Sequence, residues 1–413
     1  MTPMAAATAG GVFRKLRVAL AHDWLTGMRG GEKVLEAICE LFPDAPLYTL
    51  VHLPGSVSPL IEGRRIVTSF AQRLPDPARF YRHYLPLYPL AVRMFDLRDY
   101  DLVISSSHCA VKSVVTTGRT VHVCYCHSPM RYAWDQFDAY FGPEQVGALG
   151  SAVMRPLMRQ MARWDAATAD RVDRFLANSQ YVAGRIRRYY NRGSTIVHPP
   201  VDTDFYTPDG RSGSPGFLIV SALVPYKRLE VAIEACRKVA VPLKIVGTGP
   251  ERGRLEALAG PGVQFLGWQS AEQIRQLYRE SAATLLPGVE DFGIVPVEAQ
   301  ASGCPVVAFA EGGATETVVH GITGVLVGDR SVESFAEGLA AALGTSFDRD
   351  AVRGNALRFS RQQFRERFVA AISDAVAAGP VRGSHRDADD PPQAGTASAS
   401  FPATRPADRE DAR

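Results

Sequence analysis

Two carboxylates bracket a short loop that contains glycine: Glu290 and Glu298, with residues 291–295 between them. The apolar run 283–287 precedes the loop, and Pro296 suits the first turn of a helix because that turn needs no N–H from proline. The loop then offers free backbone N–H groups at a helix N-terminus, which bind phosphate or sugar hydroxyls. Glu298 can accept hydrogen bonds from a diol such as ribose, and Glu290 can reach the other end of the same ligand. Helix capping is the plainer interpretation, but two carboxylates are more than capping requires.

Basic residues follow the first apolar run of the second half of the chain, 217–221. The ammonium group of Lys227 can neutralise the negative charge of a diphosphate group. A lysine at an exposed helix start is the alternative, although that placement opposes the helix dipole. Arg228 is a second candidate for the same charge. Gly249, in the turn 247–251, lies where nucleotide bases bind in doubly wound sheets, and a simple strand-to-helix turn explains it equally well.

The first half contributes paired glycines and a histidine. Gly30 and Gly31 join an apolar run to its helix, where glycine lets a ligand approach the backbone and the helix N-terminus. His127 directly follows the run 120–125, and open α/β sheets bind ligands at the carboxyl ends of their strands. A packing histidine is the alternative. Arg131, four residues further on, can meet an anionic acceptor.

Short apolar runs alternate with amphipathic helical segments, and this alternation starts again in the second half. The pattern predicts an α/β fold with two Rossmann-like domains, each a parallel sheet covered by helices, facing across a cleft. We expect an N-terminal domain over residues 16–200 and a C-terminal domain over 201–378, whose last helix packs back on the first domain. A flexible N-terminus (1–15) and a disordered tail (379–413) flank them, because the tail has almost no large apolar side chains.

The composition excludes several classes of protein. The chain has 413 residues, 46% of them hydrophobic and 22% charged, which is typical of a globular protein with two cores. A net charge of +3 gives no reason to expect nucleic acid as a partner. We predict no transmembrane helix, since no uncharged apolar run reaches about 18 residues, and no signal peptide. Six scattered cysteines indicate buried thiols in a reducing compartment, and therefore a cytoplasmic protein.

Motifs for common cofactors are missing or misplaced. No Gly-Lys-Ser/Thr follows the glycines, so a P-loop ATPase is not supported, and the first glycine loop is not the GxGxxG of a dehydrogenase. Cys124 and Cys126 lack zinc spacing. The DxD patterns at 99–101 and 202–204 resemble cation-binding pairs, but one precedes a strand and the other lies in the linker, so we interpret both as loop caps. We expect neither a metal nor a cofactor.

Two stretches of the first half, 79–90 and 154–164, are basic and also aromatic or apolar. Such segments can lie on an anionic bilayer, with apolar side chains in the interface and arginines at the headgroups. In the alternative, the same apolar side chains pack inward while arginine covers the edge. The sequence does not separate these two interpretations.

The pattern glutamate, seven residues, glutamate, followed by Ala-Ser-Gly-Cys-Pro-Val at 301–306, resembles the signature of retaining, nucleotide-sugar-dependent glycosyltransferases of the GT-B fold. The resemblance runs from about Leu16 to Val376. It implies that Glu290 contacts hydroxyls of the donor sugar and that Glu298 binds ribose. It also implies that one stretch of backbone cradles the donor phosphate and sugar, namely Phe292, Gly293, Ile294 and Val295.

The same resemblance implies that Gly30 and Gly31 approach the donor diphosphate and the acceptor. It makes His127 a residue that positions the transferred sugar and does not act as the nucleophile. The chain departs from the family after the strand 217–221, because the usual glycine-arginine pair is replaced by Ser221 and Ala222.

The resemblance implies a metal-independent, retaining hexosyltransferase in which the leaving phosphate oxygen takes the proton. The segments 224–228 and 127–132 look most like bacterial enzymes that transfer mannose from GDP-mannose during polysaccharide assembly. A glycan or lipid-linked acceptor at the inner face of the membrane would account for the basic aromatic stretches. Two alternatives remain: an impaired nucleotide-sugar binding protein, which Ala222 would allow, and a UDP-sugar epimerase of the same fold.

Overall fold

The computed structural model describes Phe13 and residues 15–210 and 216–381. Almost all of the predicted flexible N-terminus and all but the first residues of the predicted disordered tail lie outside these ranges. We use "first half" for residues 15–210 and "second half" for residues 216–381.

The first half is built on a seven-stranded parallel sheet. Its strands are β1 (Val18–Leu25), β2 (Leu47–His52), β3 (Ile66–Thr68), β4 (Leu102–Ser107), β5 (Val121–Cys126), β6 (Arg174–Ala177) and β7 (Ser194–Ile196). They lie in the order β3-β2-β1-β4-β5-β6-β7. The central strands β1, β4 and β5 are buried along their whole length, as expected where elements cover both faces of a sheet.

Helices of very different length connect these strands. They are α1 (Gly30–Leu41), α2 (Pro59–Glu62), α3 (Pro77–Phe80), α4 (Tyr88–Arg93), α5 (Arg131–Trp134), α6 (Phe137–Phe141), α7 (Pro143–Ala167) and α8 (Gln180–Tyr190). Short 3-10 turns cover Phe70–Arg73, Tyr81–Leu87, Val111–Ser113 and Ala169–Arg171. The long helix α7 is kinked at Gly147, whose φ of 74° is open to glycine at little cost.

The second half repeats the design with six parallel strands. They are β8 (Phe217–Val220), β9 (Leu243–Val246), β10 (Val263–Gly267), β11 (Ala283–Leu286), β12 (Val306–Phe309) and β13 (Gly324–Val327), in the order β10-β9-β8-β11-β12-β13. A 3-10 turn covers Pro225–Lys227. The helices are α9 (Leu229–Lys238), α10 (Arg252–Leu258), α11 (Ala271–Glu280), α12 (Ile294–Ala301), α13 (Ala314–Thr317), α14 (Val332–Gly344), α15 (Arg349–Leu357) and α16 (Arg361–Ala378).

The helix α16 follows the second half in sequence but packs against the first sheet. Phe364, Phe368 and Ile372 are buried in the same cluster as residues of β1, β4 and α1. The ring of Tyr125 on β5 lies 6.0 Å from that of Phe364. Burial of three large apolar side chains, each contributing about 2 kcal/mol, holds the helix across the two halves.

The predicted fold class is confirmed: both halves are parallel α/β units with cores on either face of each sheet. Several residues singled out from the sequence follow the carboxyl ends of strands, among them His127 after β5 and Lys227 after β8. None of the described helices is long and apolar enough to cross a membrane.

Candidate active site

The carboxyl ends of the two sheets meet across a narrow cleft. A Cβ placed on Gly30 would lie 3.0 Å from Cδ1 of Ile294 on the opposite side. Lys33 reaches over to Glu298, with 2.8 Å between Nζ and Oε1. These contacts bring the glycine pair of α1 next to the start of α12.

The second-half wall of the cleft consists of Lys227, Glu290 and the first turn of α12. Lys227 and Glu290 form an ion pair, and both side chains are about one-sixth exposed. The ammonium of Lys227 also lies 5.3 Å from the ring centre of Tyr226, within the range of a cation–π contact. Backbone at Gly288 supports the pair, because a Cβ there would lie 2.9 Å from Cα of Lys227.

The helix α12 begins at Ile294, so Pro296 lies in its first turn, as the sequence predicts. Gly293 precedes it with a φ of 90°, a left-handed conformation that favours glycine. The N–H groups of Ile294 and Val295 lie in the first turn, where no intrahelical acceptor exists. The side chain of Phe292 turns away and packs in the core, with its ring 5.4 Å from that of Phe359. Phe292 therefore offers a ligand its backbone alone.

Glu298 lies in the second turn of α12 and is 6% exposed. Its ion pair with Lys33 places a cation from the first half on the carboxylate that the sequence assigns to ribose. Tyr278 comes within 3.5 Å of Oε2, at the outer limit of a hydrogen bond. A diol that binds Glu298 must therefore share it with Lys33 or displace it.

The loop at Gly249 is packed backbone against backbone. A Cβ on Gly249 would lie 2.2 Å from the carbonyl oxygen of Leu223, and one on Gly247 would lie 1.8 Å from that of Ser221. Both glycines are required by this close approach, independently of any ligand. Arg228 lines a cavity of about 540 Å³ between the halves, together with Tyr226 and Asp291.

The first-half wall consists of His22, Ser106 and His127. His22 lies within β1, Ser106 near the end of β4, and His127 directly after β5. Nε2 of His127 lies 2.8 Å from Oγ of Ser106, and its backbone is fixed by Ser107 and Asn178. Burial, together with the neighbouring imidazoles of His108 and His22, lowers the pKa of His127 to about 3. His127 is therefore neutral at physiological pH.

Several polar groups of this wall were not identified from the sequence. Asp23 is fully buried and accepts hydrogen bonds from the consecutive backbone N–H groups of 108–111 at 2.7–2.9 Å. Burial alone would raise the pKa of Asp23, but His108 and these donors outweigh it and lower the pKa. Glu32, 4% exposed, lies 3.7 Å from His22. The signal available in the sequence was the polar pair His22-Asp23 inside an otherwise apolar strand.

Gly31 lies directly over the histidines. A Cβ on this glycine would be 3.7 Å from Cε1 of His22 and 3.7 Å from Nε2 of His127. The structure therefore places Gly30 at the second-half wall and Gly31 at the first-half wall. Any side chain larger than that of alanine at Gly31 would fill the space above the two rings.

Arg131 extends from α5 across the cleft to Asp291, with 2.9 Å between Nε and Oδ2. Burial would lower the pKa of this guanidinium, but Asp291 and Glu290 outweigh it and raise the pKa, so Arg131 stays charged. Arg185 from α8 also approaches Asp291, at 3.8 Å. Asp291 was part of the predicted loop, but its role as the partner of two first-half arginines follows from the fold alone.

Within residues 15–210 and 216–381, no three His, Cys, Asp or Glu side chains are arranged to hold a metal ion. The DxD residues behave as loop groups: Asp101 pairs with Arg17, and Asp202 accepts a hydrogen bond from the N–H of Phe205. Cys124 and Cys126 are buried within β5 as free thiols.

Comparison with known proteins agrees with this geometry. The family model described as Glycosyltransferase Family 4 matches residues 28–205, and that described as Glycosyl transferases group 1 matches residues 207–358. The solved structure of Anabaena Alr3699/HepE in complex with UDP has a TM-score of 0.62 at 20% identity over 86% of this chain and 100% of that chain. Sucrose-phosphate synthase from Thermosynechococcus elongatus has a TM-score of 0.62 at 17% identity over 87% and 100%. The chain belongs to the GT-B glycosyltransferase family.

Curated relatives match over part of their length. D-inositol 3-phosphate glycosyltransferase from Mycobacterium sp. (strain KMS) is 30% identical over 245 residues, which are 53% of this chain and 56% of the relative. The protein of the same name from Mycolicibacterium smegmatis is 29% identical over 48% of this chain and 50% of the relative. The chain thus spans about half the length of the curated relatives that it matches.

Proposed function

We propose that this chain is a glycosyltransferase that moves a hexose from a nucleotide-sugar donor, bound on the second half, to an acceptor bound on the first half. The observation that carries the proposal is the Lys227–Glu290 ion pair beside the N-terminus of α12, directly opposite Gly30 and Gly31. A cation, free N–H groups and a carboxylate at one point match a ligand with a diphosphate at one end and hydroxyls at the other.

Donor binding would make the Lys227–Glu290 pair exchange partners. The diphosphate takes the ammonium of Lys227 and the first-turn N–H groups of α12, which leaves Glu290 to accept hydrogen bonds from sugar hydroxyls. These donors stabilise the negative charge that grows on the leaving phosphate as its bond to the sugar breaks. Glu298 and the loop at Gly249 would hold the ribose and the base of the nucleotide.

We propose that transfer retains configuration at the anomeric carbon. The bond from that carbon to the phosphate oxygen breaks, the acceptor oxygen bonds on the same face, and the leaving phosphate oxygen takes the acceptor proton. His127 fits a positioning role, because an imidazole with a pKa of about 3 is a weak proton acceptor. The four backbone donors around Asp23 likewise leave it little capacity to act as a base.

For the donor we propose GDP-mannose, on the resemblance of residues 127–132 and 224–228 to bacterial mannosyltransferases. UDP-glucose is the second candidate, because a solved relative, Alr3699/HepE, was crystallised with UDP-glucose. The acceptor we propose is a glycan or a lipid-linked sugar of polysaccharide assembly.

We further propose peripheral contact with an anionic membrane at the cytoplasmic face. In the stretch 154–164 on α7, Met158 and Met161 are buried, which fits the alternative that the apolar side chains pack inward. In the first stretch, Leu90 is 57% exposed. Outside the two stretches, Met94 is 63% and Leu149 is 81% exposed. Together with the exposed arginines of the two stretches, such side chains suit an interface with anionic lipid.

The decisive experiment measures nucleoside diphosphate release and sugar transfer by the purified protein. GDP-mannose, UDP-glucose and UDP-N-acetylglucosamine are tested in parallel, with EDTA and with lipid extract as acceptor. We expect turnover of one donor that survives EDTA and is lost in Glu290→Gln. The matched control is Glu333→Gln, which breaks an exposed ion pair with Lys238.

Other outcomes would point to the alternatives. Binding of a donor without turnover, even with lipid extract, would identify a nucleotide-sugar binding protein. Conversion of a UDP-sugar without any acceptor would identify an epimerase. For membrane contact, cosedimentation with vesicles containing phosphatidylglycerol should weaken in Leu90→Glu and persist in Leu357→Glu, an exposed leucine of α15.

A further inference from the structure

Four neighbouring side chains form a row that ends at His127. In order, they are Glu32, His22, Ser106 and His127. Oγ of Ser106 lies between the two imidazoles, 3.1 Å from Nδ1 of His22 and 2.8 Å from Nε2 of His127. His22 and Ser106 are register partners on the neighbouring strands β1 and β4. His22 is 0%, Ser106 1% and Glu32 4% exposed, so the row is shielded from water.

A serine hydroxyl has one proton to donate, so it fixes the direction of both contacts. If Ser106 donates to His22, it must accept from the Nε2–H of His127. If Ser106 donates to His127 instead, it must accept from the Nδ1–H of His22. In the first arrangement the proton of a neutral His127 is on Nε2, and in the second it is on Nδ1. The remaining neighbours must select one of the two.

Glu32 makes that selection. Burial alone would raise the pKa of Glu32, but His22 outweighs it and lowers the pKa, so the group is a carboxylate. Its Oε2 is held by the backbone N–H of Arg29 at 3.0 Å. Its Oε1 lies 3.7 Å from Nε2 of His22, beyond hydrogen-bond length but close enough for Coulomb attraction to favour an N–H at Nε2 over a lone pair.

The remaining titratable neighbours do not reverse this preference. His108 faces His22 and His127 with ring centres 6.3 Å away from each. Burial lowers the pKa of His108, and its Nδ1 lies 3.3 Å from Asp23, which is already surrounded by backbone donors. Glu32 is thus the carboxylate that meets Nε2 of His22.

We propose that Glu32, His22 and Ser106 are positioning residues that fix the tautomer of His127. In a neutral His22, the proton is on Nε2, toward Glu32, and Nδ1 accepts the hydroxyl proton of Ser106. Ser106 then accepts from Nε2–H of His127, which leaves Nδ1 of His127 as a hydrogen-bond acceptor. A substrate hydroxyl that reaches Nδ1 of His127 would then meet a hydrogen-bond acceptor and not a donor; that the ligand is a sugar rests on the proposed function.

The first test observes the ring directly and needs no substrate. Full-length protein labelled with ¹⁵N-histidine is compared with His127→Gln, which identifies the His127 signals. We expect a protonated Nε2 and an unprotonated Nδ1 in the wild type, and a shift of both signals toward a mixture in Ser106→Ala and in Glu32→Gln. Protonated Nδ1 in the wild type, or signals unmoved by both variants, would overturn the proposal.

The chain offers a matched control one residue away. Ser105 on β4 contacts Nε2 of His122 at 2.9 Å, and both residues are fully buried. Ser105→Ala therefore removes an equivalent buried serine–histidine contact outside the cleft. It should lower the melting temperature as Ser106→Ala does and leave the signals of His127 in place.

The second test uses the transferase assay in a double-mutant cycle. We expect Ser106→Ala to lower kcat about tenfold, the change supplied by one hydrogen bond, with Ser106→Thr restoring most of it. In a His127→Gln background, Ser106→Ala should change kcat less than about twofold, because its effect passes through His127. Equal losses in both backgrounds would indicate a purely structural serine.

The two tests separate the two proposals. If the ring signals behave as expected but no donor is turned over, the proposal for the tautomer of His127 stands and the proposed function fails. If transfer is observed and the ring signals do not change in Ser106→Ala and Glu32→Gln, the proposed function stands and the tautomer proposal fails. Should Ser106→Ala fail to fold, Glu32→Gln carries both measurements.

Discussion

On the second-half wall of the cleft, Lys227 and Glu290 form an ion pair that keeps about one-sixth of each side chain in contact with solvent. On the first-half wall, His22 and Asp23 are fully buried and the pKa of His127 lies near 3. One wall thus carries formal charges that neutralise each other, and the other carries histidine side chains that are linked by a buried serine hydroxyl.

This difference follows from what each wall would bind. A diphosphate brings charge of its own, so the groups that meet it must stay ionised before it arrives, and an ion pair does this without a buried unpaired charge. Sugar hydroxyls bring no charge, and they are best oriented by groups that are already desolvated and fixed. On the second-half wall, Lys227 and Glu290 can exchange each other for the ligand. On the first-half wall, the hydrogen bonds are already formed before a ligand binds.

The largest effect should come from removing the cation of the second-half wall. Lys227→Ala is expected to lower kcat about 100- to 1,000-fold, because the charge on the leaving diphosphate loses its stabilising ammonium. Lys238→Ala, which breaks the exposed pair with Glu333, should leave kcat unchanged. Steady-state kinetics with the active donor measures both. An increase in KM with kcat unchanged would mean that Lys227 binds the ground state and the transition state equally.

A stability change should follow from the backbone contact under the second-half wall. A Cβ on Gly249 would lie 2.2 Å from the carbonyl oxygen of Leu223, so Gly249→Ala must displace backbone. We expect a loss of about 2 kcal/mol in the free energy of unfolding. Gly253→Ala is the control, because a Cβ at Gly253 meets nothing within 4 Å. Equal urea midpoints for the two variants would contradict the packed-loop interpretation.

Acid should destabilise the first-half wall before it affects the carboxylates. In the folded chain the pKa of His127 is about 3, below its usual value near 6.5. Between these two pH values the unfolded chain binds a proton at His127 and the folded chain does not. Stability is complete above pH 6.5 and falls as the pH decreases toward 3, by about 1 kcal/mol per pH unit. Urea unfolding at pH 7, 6 and 5 measures the slope. His127→Gln should reduce it, and the exposed His83→Gln should not.

The smallest effect should come from the link between the walls. Arg131→Gln removes the ion pair with Asp291, and we expect KM for the substrates to rise about threefold because the closed cleft becomes less favourable. Arg98→Gln, which breaks an exposed pair with Asp96, is the matched control. An increase in KM for the acceptor alone would instead support the predicted role of Arg131 in binding an anionic acceptor.

The sequence identified the second-half wall well because its parts are close together along the chain. Glu290, Gly293 and Glu298 span nine residues of one loop and one helix, so local spacing predicts their arrangement. Arg228 stays a prediction: it follows Lys227 directly and lines the same cavity as Tyr226 and Asp291.

The first-half wall was predicted only in part, because its members are distant in sequence. His127 and Gly31 were identified from their places after a strand and before a helix. His22 and Ser106 are 84 residues apart and become neighbours through the parallel register of β1 and β4. No local pattern distinguishes a serine that bridges two histidines from one that simply fills a strand, as Ser105 illustrates beside it.

By itself, the sequence determined two α/β units, the Glu290 to Glu298 loop and the residues that end each strand, because periodicity and short-range spacing are local properties of the chain. Only the tertiary structure decided which strand ends become neighbours, which carboxylate meets which cation across the cleft, and which apolar side chains of α7 face inward. These outcomes depend on sheet order and on the packing of one half against the other, and both are set by contacts between residues far apart in sequence.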